Sequence, residues 1–228
     1  MLVTVMMPTR QRIELAKRSI ASLLDNAHTP GNIEIYVAID NDDTHSIEYF
    51  NSDAWQEFIS SRGSSTKIFI TEPWGYANLH NYYNSMALQA HGDWLLVWND
   101  DTIMQSQDWD LSVEANRNFV GMLHMVTENY RPKFALFPLI PKVWIELFGA
   151  VSLSNSNDSW IHHICLEADA IKIIEPTVFH DRYDLTGNNL DQVYLDRPNQ
   201  KKKYKSAEMV QLRKQWAEKF LSYKNSLT

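Results

Sequence analysis

Apolar residues along this chain come in short runs separated by segments of helical periodicity, and that alternation sets the first expectation. Leu2 to Met7 is an apolar, β-branched run closed by Pro8 and predicts a buried strand. Ile13, Ala16, Ile20, Leu23 and Leu24 recur at helical spacing and predict a helix that ends between Asn26 and Gly31. Ile33 to Ile39 predicts a second strand, running into the acidic group Asp40-Asn41-Asp42-Asp43. Asp43 or Thr44 caps a helix expected to reach about Ser61. Lys67 to Ile70 is a third strand, Gly75 to Ala90 a helix, and Trp94 to Trp98 a fourth strand that stops at Asn99-Asp100-Asp101.

Strands that alternate with helices imply parallel pairing through right-handed crossovers, so the fold class is α/β. In open sheets of that kind, ligands bind beyond the carboxyl ends of the strands. Three of the four strands end in polar or acidic loops, at Pro8-Thr9-Arg10, Asp40 to Asp43 and Asn99 to Asp101. These loops are expected to meet at one crevice.

The second half is less regular. It predicts a helix over Trp109 to Asn118, strands at Val120 to Thr127 and Phe134 to Phe137, and a short helix opened by Pro141 and ending at Phe148. A helix from Asn157-Asp158 to Glu167 follows, then a strand at Ile171 to Ile174 that Val178-Phe179-His180 either continues or leaves as a separate piece. Asp181 to Lys203 reads as a polar loop, and from Ala207 a last amphipathic helix places Met209, Leu212, Trp216 and Phe220 on one side.

Composition narrows the function classes. The 228 residues are 44% hydrophobic and 21% charged, enough for one domain with a core and a cleft. The net charge of −7 argues against a nucleic-acid partner, which needs a basic footprint, but leaves room for a small nucleotide held by a metal ion and backbone amides. The run Lys201-Lys202-Lys203 with Lys205 could touch phosphate or membrane, or serve as a solvated linker. No apolar run is long enough for a transmembrane segment, and Leu2 to Met6 lacks the basic region of a signal peptide. Cys165 has no partner for an intrachain disulfide and lies in an apolar stretch, so it reads as a buried small hydrophobe in a reducing, cytoplasmic setting.

Asn99-Asp100-Asp101 carries the sharpest chemistry. Adjacent carboxylates behind a buried strand repel each other and are costly to desolvate unless a cation is near. Hard oxygen ligands there suit magnesium or manganese bridging a diphosphate, while a solvated, helix-capping turn is the bland alternative. Among the remaining candidates, Asp158 opens a helix and could be a plain N-cap. His180 ends an apolar strand with Asp181 beside it as a hydrogen-bond partner. His162 and His163 are sequence neighbours on different faces of one helix, unsuited to a tight chelate. Trp74, Tyr76 and Trp160 could stack on a sugar or base or simply fill the core.

Val5-Met6-Met7-Pro8-Thr9-Arg10, then Ala38 to Asp43, then Asn84 to Ala90 with Gly92-Asp93-Trp94-Leu95 and Asn99-Asp100-Asp101, resembles the family 2 glycosyltransferases of the GT-A fold over the N-terminal half. Two positions depart from the family pattern: Asp40-Asn41-Asp42-Asp43-Thr44 replaces the acidic-Gly-Ser-Thr signature, and Asn99 occupies the first position of the DxD motif. The resemblance implies a single domain, with a nucleotide-sugar-binding half over 1–104, an acceptor-side half over 105–204 and a C-terminal helix over 205–228. It implies a nucleoside-diphosphate sugar as donor, a carbohydrate or other hydroxyl as acceptor, and manganese or magnesium as cofactor. Pro8, Thr9 and Arg10 would line the nucleotide pocket, and Asp40 and Asp42 would bond the base or ribose. Asp100 would face the ribose or sugar, Asp101 would bind the metal, and His180 would be an extra metal ligand. Asp158 would be the general base of an inverting transfer. Arg10 and Arg12 could instead be surface residues at a helix start, and Arg12 is placed there.

Two rivals remain at this level. A non-catalytic sugar- or nucleotide-binding module would keep the fold without the chemistry. A nucleotidyltransferase would need a glycine-rich phosphate loop, which Pro8-Thr9-Arg10-Gln11-Arg12 lacks.

Overall fold

The computed structural model describes residues 2–195 and 204–227. β1 (Val3–Pro8) sits near the middle of an eight-stranded sheet in the order β3-β2-β1-β4-β7-β6-β8-β5. It pairs in parallel with β2 (Ile33–Asp40) on one side and β4 (Trp94–Val97) on the other, and β3 (Ser65–Thr71) extends the parallel part beyond β2. β7 (Pro138–Pro141) runs antiparallel to β4 and to β6 (Met122–Thr127). β8 (Ile171–His180) lies parallel to β6, and β5 (Thr102–Met104) closes the edge antiparallel to β8.

The near-continuous apolar runs of β1 and β2 follow from burial on both faces. Val3, Val5 and Met7 join Ile35 and Val37 in one core, with Ile13, Ile20 and Leu23 of α1 (Ile13–Asp25) packed on them. Met6, Tyr36 and Ala38 point the other way, into a second core with Tyr82 and Met86 of α4 (Leu79–Ala87). Trp160 of α7 (Asn157–Glu167) and Phe220 of the C-terminal helix Ala207–Asn225 complete that second core. Trp160 and Cys165 are both fully buried, which settles the core alternative for the tryptophan and the hydrophobe reading for the cysteine.

Several elements differ from their sequence expectation for identifiable reasons. The helix expected from Thr44 to Ser61 is two, α2 (Thr44–Phe50) and α3 (Asp53–Ser60), because Ser52 accepts from the Trp55 amide and starts a new helix. Residues 135–137 are buried and Phe134 partly so, but none is paired in the sheet, and the chain enters the ladder only at Pro138. Pro141 ends β7 rather than opening a helix, and α6 spans Val143–Phe148. α5 is limited to Trp109–Glu114. β8 is one strand whose register against β6 jumps past Glu175 and Pro176, the latter having no N–H to donate. On the C-terminal helix, Met209 and Phe220 are buried as expected, while Leu212 and Trp216 are only partly buried against the core. Arg213 is the unexpected buried residue of that stripe. Its guanidinium lies 4.0 Å from the Tyr204 ring centroid and donates to the Tyr204 carbonyl at 2.9 Å. The run Lys201-Lys202-Lys203 lies outside the described residues. Among the described residues, no helix is long and apolar enough to cross a membrane.

His124 of β6 has a consequence for acid stability. It is fully buried, and neither ring nitrogen has a hydrogen-bond partner among the described residues. Burial, and secondarily the charge of His162, lower its pKa to about 4. The unfolded chain binds the proton near pH 6.5, so the stabilising contribution is complete above pH 6.5 and drains away as pH falls toward 4. The expected loss reaches about 3 kcal/mol at pH 4. Urea unfolding at pH 7 and pH 4.5 should show a smaller drop in His124→Phe than in the wild type. Equal drops would place the acid sensitivity elsewhere.

Candidate active site

The sheet changes direction of growth at β1, with β2 leading outward on one side and β4 on the other, and the cleft lies at the carboxyl ends of these strands. Pro8, Thr9 and Arg10 after β1, Asp40 at the end of β2, and Asn99, Asp100 and Asp101 after β4 all line it. The expected convergence of the three loops is met.

The β1 turn is held by its neighbours. Thr9 N–H donates to the Ala38 carbonyl at 3.0 Å, carrying the β1–β2 ladder past Pro8. Gln11 then adopts a left-handed conformation, φ 55°, with its N–H donated to Asp43 at 2.7 Å. Asp43 meanwhile caps α2 by accepting from the Ser46 amide. This turn aims Arg10 across to β2, where its guanidinium donates to Asp40 at 2.7 Å and pairs with both oxygens of the exposed Asp42. Asp40 also accepts from the Tyr82 hydroxyl, which in turn accepts from Gly75 N–H at 3.0 Å. Gly75 has φ 64° and ψ 177°, a region open only to glycine, and the turn it makes brings Tyr76 to the cleft wall.

Asp100 and Asp101 are adjacent, buried and differently partnered. Thr9 Oγ1 donates to Asp100 at 2.8 Å and Arg12 Nη1 at 3.2 Å. Burial is the main force raising the Asp100 pKa, with the charge of Asp101 adding to it and Arg12 opposing it, and the result is pushed up to about 6. Asp101 goes the other way. Burial alone would raise it, but the His180 hydrogen bond and charge outweigh burial and hold it below the usual carboxylate range. His180 Nε2 lies 3.0 Å from Asp101 Oδ1. The short strand β5 creates this contact, because its register sets Thr102 opposite His180 and lets Asp181 N–H donate to the Asp101 carbonyl at 2.8 Å.

The structure corrects three expectations. Arg12 is no surface residue: its side chain is 11% exposed and touches Asp100 and Asp191. Asp181 is not the partner of His180, since it pairs with Arg18 at 2.7 Å. Asp158 is not an N-cap: Ser156 holds that position, and Asp158 lies in the first turn of α7 with Oδ1 accepting from the Ser159 amide at 2.7 Å. Asp158 is not among the residues lining the cleft, but its charge reaches Tyr83, whose hydroxyl donates to Asn99 at 3.0 Å. His163 bonds Tyr204 while His162 turns inward, so the adjacent histidines do not act together. Trp74 packs edge-on against Tyr82.

A match to the family model described as glycosyl transferase family 2 covers residues 4–117, half of the chain. The chain belongs to glycosyl transferase family 2. Its fold is that of GT-A enzymes: the mannosyltransferase PcManGT from Pyrobaculum calidifontis, in complex with GDP-Man and Mn2+, aligns over 78% of this chain at 13% identity and TM-score 0.56. S. aureus TarS 1-349 in complex with UDP aligns over 91% of this chain and 73% of its own at 12% identity and TM-score 0.55. TarS 1-349 in complex with UDP-GlcNAc aligns over 97% of this chain and 72% of its own at 12% identity and TM-score 0.53. The chain spans 56% of the mannosyltransferase's length. No curated protein matches the chain in sequence.

In this family 2 glycosyltransferase, the pair that could hold a divalent cation is Asp101, on the cleft wall, with His180, which is buried beside it and does not line the cleft. They offer one hard oxygen and one imidazole nitrogen side by side, and His180 Nδ1 is buried without a partner among the described residues. Among the described residues, no cluster of three or more His, Cys, Asp or Glu could hold a metal ion. A cation here would therefore draw its remaining ligands from phosphate and water, as magnesium commonly does. Of the aromatic candidates, Tyr76 lies on the cleft wall, which Leu79, Tyr82, Arg182 and Tyr194 complete without any sequence signal for that role.

Proposed function

We propose that this family 2 glycosyltransferase moves a sugar from a nucleoside-diphosphate donor to an acceptor hydroxyl with metal dependence and inversion. The donor half spans 1–104 and the acceptor half 105–204. The observation that carries this reading is the cleft beyond β1, β2 and β4, where a cationic Arg12 pairs with Asp100 and the adjacent Asp101 is paired with buried His180.

Pro8, Thr9 and Arg10 line the nucleotide pocket, with Asp40 and Asp42 toward base and ribose and Asp100 toward ribose or sugar. Asp101 and His180 would hold manganese or magnesium, which when bound neutralises charge gathering on the leaving diphosphate. Asp158 takes the proton of the acceptor hydroxyl as its oxygen bonds to the anomeric carbon and the bond to the diphosphate oxygen breaks. GDP-Man and UDP-GlcNAc, bound by the two neighbours, are the donors to try first. Buried, unpaired Cys165 supports a reducing compartment such as the cytoplasm.

A thermal-shift panel of UDP, GDP and their sugar conjugates, with and without manganese, tests the donor site by mass action. The expected result is a metal-dependent rise in melting temperature with one nucleotide. A cooperatively melting protein that shifts with none of them overturns the reading.

A further inference from the structure

Among the described residues, the three arginines on the cleft wall are already occupied by carboxylates. Arg10 is taken by Asp40 and Asp42, Arg12 by Asp100 and Asp191, and Arg182 by Asp184. The Arg12 arrangement is the most telling. Its Nε and Nη2 donate side by side to the two oxygens of Asp191, each at 2.7 Å. This two-pronged geometry is the one by which a guanidinium also grips a phosphate. Burial alone would lower the Arg12 pKa, but the Asp191 hydrogen bond and the charges of Asp100, Asp191 and Asp101 raise it, so a fixed cation is kept there.

Asp191 is not a wall residue of the cleft. It comes from the segment after β8, which also lends Arg182 and Tyr194 to the wall, and its side chain is 35% exposed against 11% for Arg12. The carboxylate thus reaches the buried cation from the solvent side. The Asp191–Arg12 pair spans 179 positions of sequence, so it ties this late segment to the turn after β1.

We propose that Asp191 is a tethered stand-in for a donor phosphate, holding the phosphate-facing edge of Arg12 until the diphosphate displaces it. The proposal rests on the donor reading above and adds to it an internal competitor. Arg12 keeps its bond to Asp100 through Nη1, so the cation stays in place when the exchange occurs. The alternative role for Asp191 is a permanent brace that positions Arg12, and the two roles predict opposite signs.

The test uses Asp191→Asn. Asparagine retains an acceptor for the Tyr194 amide that Asp191 now receives at 2.9 Å, so the local turn persists, while the negative charge facing Arg12 is removed. Calorimetric titration of UDP and GDP, each with magnesium, into the wild type and the variant should give binding about fivefold or more tighter in D191N. Inorganic pyrophosphate, which carries no base, should gain by a similar factor. Unchanged or weaker binding in a D191N protein that melts like the wild type overturns the stand-in and supports the brace. If UDP and GDP bind to neither protein, the donor assignment itself falls, and the stand-in falls with it.

Discussion

Asp101→Ala is expected to lower transfer by a thousandfold or more, about 4 kcal/mol of barrier, while leaving the protein folded. Among the described residues, the Asp101 side chain has one hydrogen bond, to His180, and under the proposed function this pair would hold the divalent cation. Removing the carboxylate takes away the hard oxygen ligand and leaves His180 as a lone imidazole donor, too little for manganese or magnesium. The fold should tolerate the change for an electrostatic reason. Asp101 is one of the charges that raise the Asp100 pKa, so its loss relieves a repulsion between buried neighbours and offsets the lost His180 bond. Turnover measured across a manganese titration, beside a thermal melt, checks both halves. A variant that keeps wild-type turnover at any metal concentration would remove the metal from the mechanism.

His180→Ala is informative beside it because, under the proposed function, the imidazole would be the second ligand rather than the charged one. The ranking of effects should follow ligand charge, with the carboxylate ahead of the imidazole. The reverse order would mean that His180 acts on the substrate directly.

The parallel half of the fold was legible because β1, β2 and β4 are buried on both faces. Val3 to Met7 and Ile33 to Ile39 read as unbroken apolar runs, and their polar ends named the cleft before any coordinates did. The antiparallel half was harder for a physical reason. β5 has only three residues, β7 is bounded by prolines, and neither shows a period long enough to read. Their effect on the site is large all the same, since β5 is what places Asp101 against His180. Arg12 was misplaced because a charged residue at a helix start is usually solvated; here α1 begins against the acidic cleft and the charge has partners. Arg182 and Tyr194 arrive from a polar segment with no periodicity, and only tertiary structure could bring them to the wall.

Asp158→Asn separates chemistry from binding more cleanly than any other change. Loss of a general base costs about a hundredfold to ten-thousandfold in kcat. Asp158 is not among the residues lining the cleft and lies in the first turn of α7, so under the proposed donor site the donor KM should stay near its wild-type value. Asparagine keeps an oxygen for the Ser159 amide, and the helix start should therefore survive. The kinetic split carries the diagnosis: kcat should fall while the donor KM holds. A carboxylate near a helix N-terminus is also simply stabilising there, whatever its catalytic role. If that were its whole contribution, D158N would lower the melting temperature slightly and leave kcat intact. The proton of the acceptor would then have to go to another group on the acceptor side, and Asp158 would be structural.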